Sequence, residues 1–178
     1  MTAMAEQQTT VLQGANMENP LPSVYVETSI VSYLSARESG SLLGAAHQLV
    51  TRRWWDRRNL YRCFVSDVVI RECRAGDPAA ALRRLDAVRE FSSLAINERA
   101  IGIAESLLAL GIVPKKAAED ALHIAIATAH GMDFLLTWNC RHIANPVIQA
   151  RIAAHLEDIG LLLPFICTPE ELLGEENE

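Results

Sequence analysis

The sequence predicts an α/β fold in which a mainly parallel sheet of four or five strands is covered by helices on both faces. Short apolar runs alternate along the chain with segments of helical periodicity. No internal repeat or long linker divides the 178 residues, and 50% of them are hydrophobic, so the chain can bury one sizeable core. Strands that are separated by helices pair in parallel, and such a sheet is buried on both faces.

The predicted strands are short, and the first of them, Val24-Tyr25-Val26, ends directly at Glu27. We expect the other strands at residues 62–65, 94–96, 134–137 and 164–167. The last of these begins with a proline, which lacks a backbone N–H and is tolerated at a sheet edge. The sequence therefore places this strand at one edge of the sheet.

Helices are expected where apolar residues recur at helical spacing behind an N-cap or a proline. A short helix begins near Ser29, a longer one covers 41–57, and Ser66 caps the helix that holds Glu72. Another helix is expected after Gly76-Asp77-Pro78, with Leu82, Leu85 and Val88 on its buried face. Three more helices are expected over 97–111, 114–131 and 149–158, and the one over 114–131 is expected to be the longest.

The formal net charge of −6 is concentrated at the two ends of the chain. Residues 1–20 and 170–178 together hold seven acidic residues and no Lys or Arg, which leaves 15 acidic against 16 basic residues between them. We therefore expect a flexible leader over 1–21, one folded domain over 22–168 and a solvated acidic tail over 169–178. The folded domain can still present a basic face to a nucleic acid.

The composition excludes several classes of protein. No apolar run approaches the roughly 18–20 residues that a membrane span needs. Residues 1–19 lack the basic and apolar regions of a secretory signal, so we expect a cytoplasmic protein with no membrane partner. The four cysteines form no CxxC pair and are expected to be reduced thiols rather than zinc ligands: Cys63, Cys73, Cys140 and Cys167.

Polar side chains stand where the predicted strands end. Glu27 follows the first strand, Asn139 follows the fourth, and Asp120 lies at the start of the helix before the fourth. Glu72 lies further along its helix and can lean over the same crevice. Ligand sites in open parallel sheets form beyond the carboxyl ends of the strands. We therefore expect Glu27, Glu72 and Asp120 to form an acidic centre.

The ligand types in this centre suit a hard divalent cation. Carboxylate and amide oxygens favour Mg²⁺ or Mn²⁺, and the centre needs no cysteine or histidine. Such an ion activates water and neutralises a phosphodiester in its transition state. The expected metal ligands are Glu27, Asp120 and Asn139. Neighbouring hydroxyls are expected to support the ligands or to cap locally: Thr28, Ser29 and Thr137.

Each of these residues also has a simpler structural explanation. Asp120 favours a helix N-terminus through the macrodipole, and Asn139 is suited to capping the following turn. Glu72 is compatible with an exposed helix face, and Glu119 is expected to be solvated. His123, one helical turn from Asp120, most resembles a half-buried histidine whose hydrogen bonds are satisfied.

Three segments resemble the PIN-domain family, and especially its VapC-like toxin branch. They are VYVETSIVSYL at 24–34, SDVVIREC at 66–73 and AEDALHIAIATAHGMDFLLTWNCRHI at 118–143. The resemblance covers about 22–168 and implies a three-layer α/β/α sandwich that uses Mg²⁺ or Mn²⁺ to cleave single-stranded RNA or exposed RNA loops. It also implies a possible antitoxin protein as partner. By motif position the family's acidic sites fall on Glu27, Glu72, Asp120 and Asn139.

Two departures from that family's pattern keep an alternative open. Glu27 stands where the family usually has Asp, and Asn139 stands where it often has Asp. Both changes should weaken metal affinity, so the alternative is a weakly active or inactive PIN-like module that binds RNA or a protein. A phosphatase of another class is disfavoured because no Asp-x-Asp motif follows the first strand. Nucleotide hydrolysis is disfavoured because the chain has no Gly-rich phosphate loop.

Two surface properties are also expected. Trp54-Trp55 offers more aromatic surface than one short helix easily buries, which indicates a homodimer. Adjacent basic residues are candidate contacts to RNA phosphates: Arg52-Arg53, Arg57-Arg58 and Lys115-Lys116.

Overall fold

Five parallel strands form the centre of the molecule, for which a computed structural model describes residues 20–174. The strands lie in the order β3-β2-β1-β4-β5, and each neighbouring pair is parallel. They are β1 (Ser23–Val26), β2 (Arg62–Ser66), β3 (Ser92–Leu94), β4 (Phe134–Leu136) and β5 (Phe165–Cys167). The predicted parallel sheet, with its last strand at an edge, is thus confirmed.

Eight α-helices are present among residues 20–174, and helices connect each strand to the next along the chain. They are α1 (Thr28–Ser35), α2 (Leu42–Asp56), α3 (Asp67–Cys73), α4 (Pro78–Val88), α5 (Glu98–Ala109), α6 (Ala118–Ala129), α7 (Pro146–Asp158) and α8 (Pro169–Leu173). Short 3₁₀ turns precede β2 and α6, at Arg58–Leu60 and Lys115–Ala117. Within the described part of the chain, no helix has both the length and the apolar character needed to cross a membrane.

Strand register brings the predicted site residues to one edge of the sheet. Val26 of β1 lies beside Leu136 of β4, and the next backbone N–H, that of Glu27, donates to the Leu136 carbonyl at 3.0 Å. The Thr137 N–H in turn donates to the carbonyl of Cys167 at 3.0 Å. The carboxyl ends of β1, β4 and β5 therefore meet, and the residues that follow β1 and β4 are neighbours.

The core lies on both faces of the sheet, as expected for parallel strands. All four residues of β1 are buried, and so are Leu135 and Leu136 of β4. Helix α6 is apolar almost all round, and Ala121 and 123–128 are buried. A helix with this pattern belongs inside a domain, so its start is held rigidly against the sheet.

Helix starts follow the predicted capping signals. Ser66 caps α3, Asp77 caps α4 and Asn97 caps α5, each with a side-chain oxygen that accepts a backbone N–H. Gly131 has φ of +62° just after α6, the left-handed conformation that a glycine adopts without strain.

Several element boundaries differ from the prediction. Strand β3 lies two residues earlier than expected, because Ser92 and Ser93 pair with β2 although both are exposed at the sheet edge. The longest helix is α2 rather than the one after Pro114, since a 3₁₀ turn interrupts that segment before α6. Helix α7 begins three residues early, with Asn145 as N-cap. Leu82 is 70% exposed and not on the buried face of α4.

The predicted acidic tail begins too early. Pro169–Leu173 form α8, whose N-cap Thr168 and Glu171 make a reciprocal capping box. Helix α8 packs on α2, and Tyr61 Oη donates to the Leu172 carbonyl at 3.4 Å. Residues 175–178 of the tail and residues 1–19 of the predicted leader lie outside the described residues.

The argument for a homodimer from Trp54-Trp55 is wrong. Trp54 is fully buried in the chain's own core. Trp55 packs against Phe91 with ring centroids 5.4 Å apart, and the Arg58 guanidinium lies 5.1 Å from its ring centre. Most of this aromatic surface is therefore covered within one chain, and self-association stays a prediction without that support.

Candidate active site

Glu27 is a buried carboxylate held by three donors. It is the N-cap of α1, and its side chain accepts from the Ser29 backbone N–H at 3.1 Å and from Ser29 Oγ at 2.5 Å. Thr137 Oγ1 donates to the same carboxylate at 2.7 Å. Only 6% of the residue is exposed. The glutamate side chain, one methylene longer than aspartate, folds back over its own helix start.

Ser29 and Thr137 connect the ends of β1 and β4. Ser29 Oγ also accepts the backbone N–H of Trp138 at 2.8 Å, and Thr137 Oγ1 accepts that of Asn139 at 2.9 Å. Each hydroxyl therefore touches both a backbone N–H and the Glu27 carboxylate. Both hydroxyls therefore make local hydrogen bonds and also orient the Glu27 carboxylate, while their support of a metal ligand stays a prediction.

Glu72 lies in the last turn of α3 and reaches the same edge. Its carboxylate accepts from the Thr28 hydroxyl and from His123 Nε2, the latter at 3.1 Å. Burial of the group opposes its ionisation, but the hydrogen bond and charge of His123, together with Thr28, lower the pKa of Glu72 below its ordinary value. Glu72 is therefore an ionised member of the site and not a solvated helix acid.

His123 is the site residue that sequence reasoning undervalued. It is 1% exposed, and its Nδ1 lies 2.8 Å from the Tyr25 hydroxyl, which is 2.7 Å from Ser66 Oγ. Burial favours the neutral imidazole, but the Glu72 hydrogen bond and the surrounding carboxylates raise the pKa of His123 above its usual value. The signal in the sequence was its position one helical turn from Asp120, facing the strand ends.

Asp120 lies in the first turn of α6, half-buried beside Asn139. Its Oδ1 accepts from Asn139 Nδ2 at 2.9 Å, while Asn139 Oδ1 accepts the His142 backbone N–H at 3.1 Å. Burial raises the pKa of Asp120, the Asn139 hydrogen bond opposes that change, and the nearby charge of Glu27 adds to it. Asn139 thus caps the following turn and orients Asp120.

Two of the three predicted acids, Glu27 and Glu72, lie together with His123. Ligand atoms of Glu27, Glu72 and His123 all lie within 4.8 Å of one another. Asp120 lies in the first turn of α6, on the same helix as His123. Carboxylates that are crowded and partly desolvated in this way repel one another, and a cation between them removes that repulsion. These residues fit a divalent metal ion.

Two of the predicted basic pairs lie in different parts of the fold. Arg57 and Arg58 lie between α2 and the start of β2, at the edge of the sheet opposite Glu27. Arg58 also donates to the Trp55 carbonyl at 2.9 Å and covers that ring. Lys115-Lys116, by contrast, is exposed immediately before α6, the helix that carries Asp120.

Comparisons with known proteins identify the fold. No family model and no curated protein matches the chain. Among solved structures, the Mycobacterium tuberculosis toxin VapC20, described as cleaving the sarcin-ricin loop, matches with a TM-score of 0.53 and 16% identity over 72% of this chain and 95% of that chain. VapBC2 from Rickettsia felis, bound to a promoter DNA fragment, matches with a TM-score of 0.47 and 13% identity over 82% of this chain and 97% of that one.

The likeness to VapC20 shows the class of fold. The chain is an α/β protein with a helix-covered parallel sheet, and that fold is the PIN-domain fold of the VapC-like type. The fold expected from the resemblance of the three sequence segments is therefore confirmed.

Proposed function

We propose that the protein is a metal-dependent endoribonuclease that cleaves single-stranded RNA or exposed RNA loops with Mg²⁺ or Mn²⁺. The observation that carries this proposal is the cluster of Glu27, Glu72 and His123, with ligand atoms within 4.8 Å of one another, at the carboxyl edge of a VapC-like sheet. Asp120 lies on the same helix as His123, in its first turn. Oxygen ligands from several elements meet there in a partly desolvated crevice. This arrangement suits phosphodiester hydrolysis better than nucleotide binding, which the chain has no Gly-rich loop to support.

Glu27 and Asp120 are the proposed metal ligands, with Glu72 beside them. A divalent ion held there supplies charge neutralisation and an activated water. Asn139, which the sequence offered as a ligand, uses both ends of its amide within the protein, so we assign it to orienting Asp120. Thr28, Ser29 and Thr137 fix the direction of the glutamate carboxylates.

The toxin role is part of the same proposal. VapC20, which shares the fold, is described as a toxin that cleaves an RNA loop. We propose that this chain likewise acts on an exposed loop and that an antitoxin protein restrains it. A reading frame for a small antitoxin-like protein next to the gene supports this role, and its absence removes that support.

A cleavage assay tests the activity. Structured RNA with single-stranded loops, incubated with pure protein, should be cut in millimolar Mn²⁺ or Mg²⁺ and left intact in EDTA, with cutting restored when metal is added back. Cleavage that persists in EDTA contradicts metal dependence. Tight RNA binding without cleavage in any metal favours instead an inactive RNA-binding module, the alternative that Glu27 and Asn139 raise.

A further inference from the structure

Two adjoining cavities form a groove along the outer face of α1, which we call the α1 groove. One cavity, of about 400 Å³, is lined by Ser29, Ser32, Tyr33 and Ala36. The second, of about 430 Å³, shares Ser32 and Ala36 with the first. It continues toward α4, where it is lined by Arg37, Asp77, Arg83 and Arg84.

One end of the α1 groove is joined to the acidic centre through Ser29. Its hydroxyl donates to the Glu27 carboxylate and accepts the Trp138 N–H, at 2.5 and 2.8 Å. A chain that lies in the groove therefore has one end next to the carboxylates.

The other end of the α1 groove carries two guanidinium groups that can bind an anion, although the net charge of the protein is −6. Arg37 is exposed, and no hydrogen bond or ion pair to its guanidinium occurs among residues 20–174, although its carbonyl accepts from Gln48 at 2.8 Å. Arg83 is also exposed and uses Nε, which donates to the Ser35 carbonyl at 3.1 Å. Its two terminal nitrogens point to no protein acceptor among those residues.

The other charged groups of the groove are engaged in the fold. Arg84 donates to the carbonyls of Cys73 and Ala75 at 3.0 and 2.5 Å, which holds the turn between α3 and α4. The Asp77 carboxylate caps α4 by accepting the Ala80 N–H at 2.9 Å. Arg37 and Arg83 are therefore the groups suited to an anionic ligand.

Tyr33 supplies an aromatic surface between the two ends. Its ring meets His47 edge-on, with centroids 5.1 Å apart, and His47 stacks on Trp138 at 4.0 Å. The indole N–H of Trp138 donates to Thr51 Oγ1 at 2.7 Å, which fixes this aromatic cluster. Surfaces that bind single-stranded nucleic acid commonly combine aromatic rings with cationic groups.

We propose that the α1 groove binds the single-stranded RNA substrate on one side of the scissile phosphate. Arg37 and Arg83 contact its phosphates, and Tyr33 stacks on one of its bases. RNA suits the groove better than an acidic peptide because RNA brings both regularly spaced anions and flat rings. This inference rests on the proposed ribonuclease function and names where its substrate lies.

Binding without metal tests the charged end. A labelled single-stranded RNA of roughly 12 nucleotides is titrated by anisotropy in EDTA at several KCl concentrations. Loss of two phosphate contacts in Arg37→Gln/Arg83→Gln should lower the slope of log Kd against log salt by about 1.4. The matched control is Arg99→Gln/Arg151→Gln, which removes the same charge from exposed positions outside the groove. Equal slopes for the two double variants overturn the proposal.

Two tyrosine variants test the stacking contact. Tyr33→Leu should bind RNA roughly tenfold more weakly, while Tyr33→Phe keeps the ring and the affinity. Equal binding by both variants contradicts it. If Arg37→Gln/Arg83→Gln loses a bound protein partner while its RNA binding is unchanged, the groove is a protein-docking surface. That result also overturns the proposal.

These measurements distinguish RNA binding in the α1 groove from the proposed nuclease activity. RNA binding that depends on Arg37 and Arg83 without cleavage in any metal supports the groove and contradicts the nuclease. Metal-dependent cleavage with wild-type RNA affinity in Arg37→Gln/Arg83→Gln supports the nuclease and contradicts the groove.

Discussion

Hydroxyl groups and one imidazole organise the carboxylates of the candidate site. Ser29 and Thr137 hold Glu27, while Thr28 and His123 hold Glu72. None of these four groups is acidic, and each sets the direction of a carboxylate. Substitution of such a residue therefore acts on geometry as well as on charge.

Tyr25→Phe should destabilise the metal-free protein by about 1–2 kcal/mol. The change leaves Nδ1 of the fully buried His123 without its partner, and an unpaired buried polar group carries a cost of that size. Urea unfolding measures the effect. Tyr33→Phe is the matched control, since no described residue bonds the Tyr33 hydroxyl, and it should change stability by less than about 0.5 kcal/mol. Equal losses in the two variants would refute the role given to the Tyr25 hydroxyl.

The sequence predicted the acids of the site better than their partners. Glu27 and Asp120 are placed by local signals, a strand end and a helix start, which short-range patterns record. The contact between Glu72 and His123 joins α3 to α6 and depends on tertiary packing. The spacing of His123 from Asp120 is a local signal, but nothing within either segment indicates the contact with Glu72, so the sequence alone favours an ordinary half-buried histidine.

At the level of elements, the buried strands were predicted more accurately than the edges. Strands β1 and β4 are central and apolar, so their hydrophobic runs mark them clearly. Strand β3 is an edge strand that begins with two exposed serines, and only its pairing with β2 fixes its register. Helix α8 was missed because its capping box lies among acidic residues that suggested a tail.

Asp133 links the starts of β1 and β4. Its Oδ2 accepts from the backbone N–H and the hydroxyl of Ser23, both at 2.7 Å, and its own N–H donates to Ser23 Oγ at 3.0 Å. The side-chain and backbone hydrogen bonds from Ser23 lower the pKa of Asp133 below its ordinary value. The ionised carboxylate therefore stabilises the folded state above the unfolded pKa, and this contribution is lost as pH falls through the folded pKa.

Asp133→Asn should lower stability by roughly 0.5 kcal/mol near pH 7, a small value because solvent screens this exposed group. The difference from the unsubstituted protein should shrink as pH falls through the folded-state pKa, where the carboxyl protonates. Urea midpoints at several pH values measure it, with the exposed Glu105→Gln as control. A difference that grows toward acid pH would contradict the assigned sign.

At the scale of the whole molecule, charge distribution matters more than net charge. The formal net charge of −6 does not indicate an RNA-binding surface. The adjacent basic residues in the sequence favoured α2 as a place of contact with RNA. Folding places Arg37 beside Arg83, 46 positions apart in sequence, along one groove. Surfaces assembled from distant segments in this way have no sequence signature, whereas the fold class does, because alternating strands and helices are a local pattern.

The acidic centre predicts a sharp contrast between a half-buried and an exposed acid. Asp120 is half-buried against Asn139, whereas Glu105 of α5 is exposed. Glu119 pairs with Arg71 at 3.0 Å but also interacts with the Glu72 carboxylate, so it is unsuitable as a control. Burial raises the pKa of Asp120, so its charge is unfavourable without metal, and Asp120→Asn should remain folded.

The most direct measurement is the Mn²⁺-dependent rate of RNA cleavage by Asp120→Asn and by Glu105→Gln, with thermal unfolding to verify that both variants are folded. Loss of a preorganised charge at the reacting centre should slow Asp120→Asn on the order of 10²-fold or more. Glu105→Gln should cleave at the unsubstituted rate. If both folded variants cleave RNA equally fast, the active centre does not lie at Asp120.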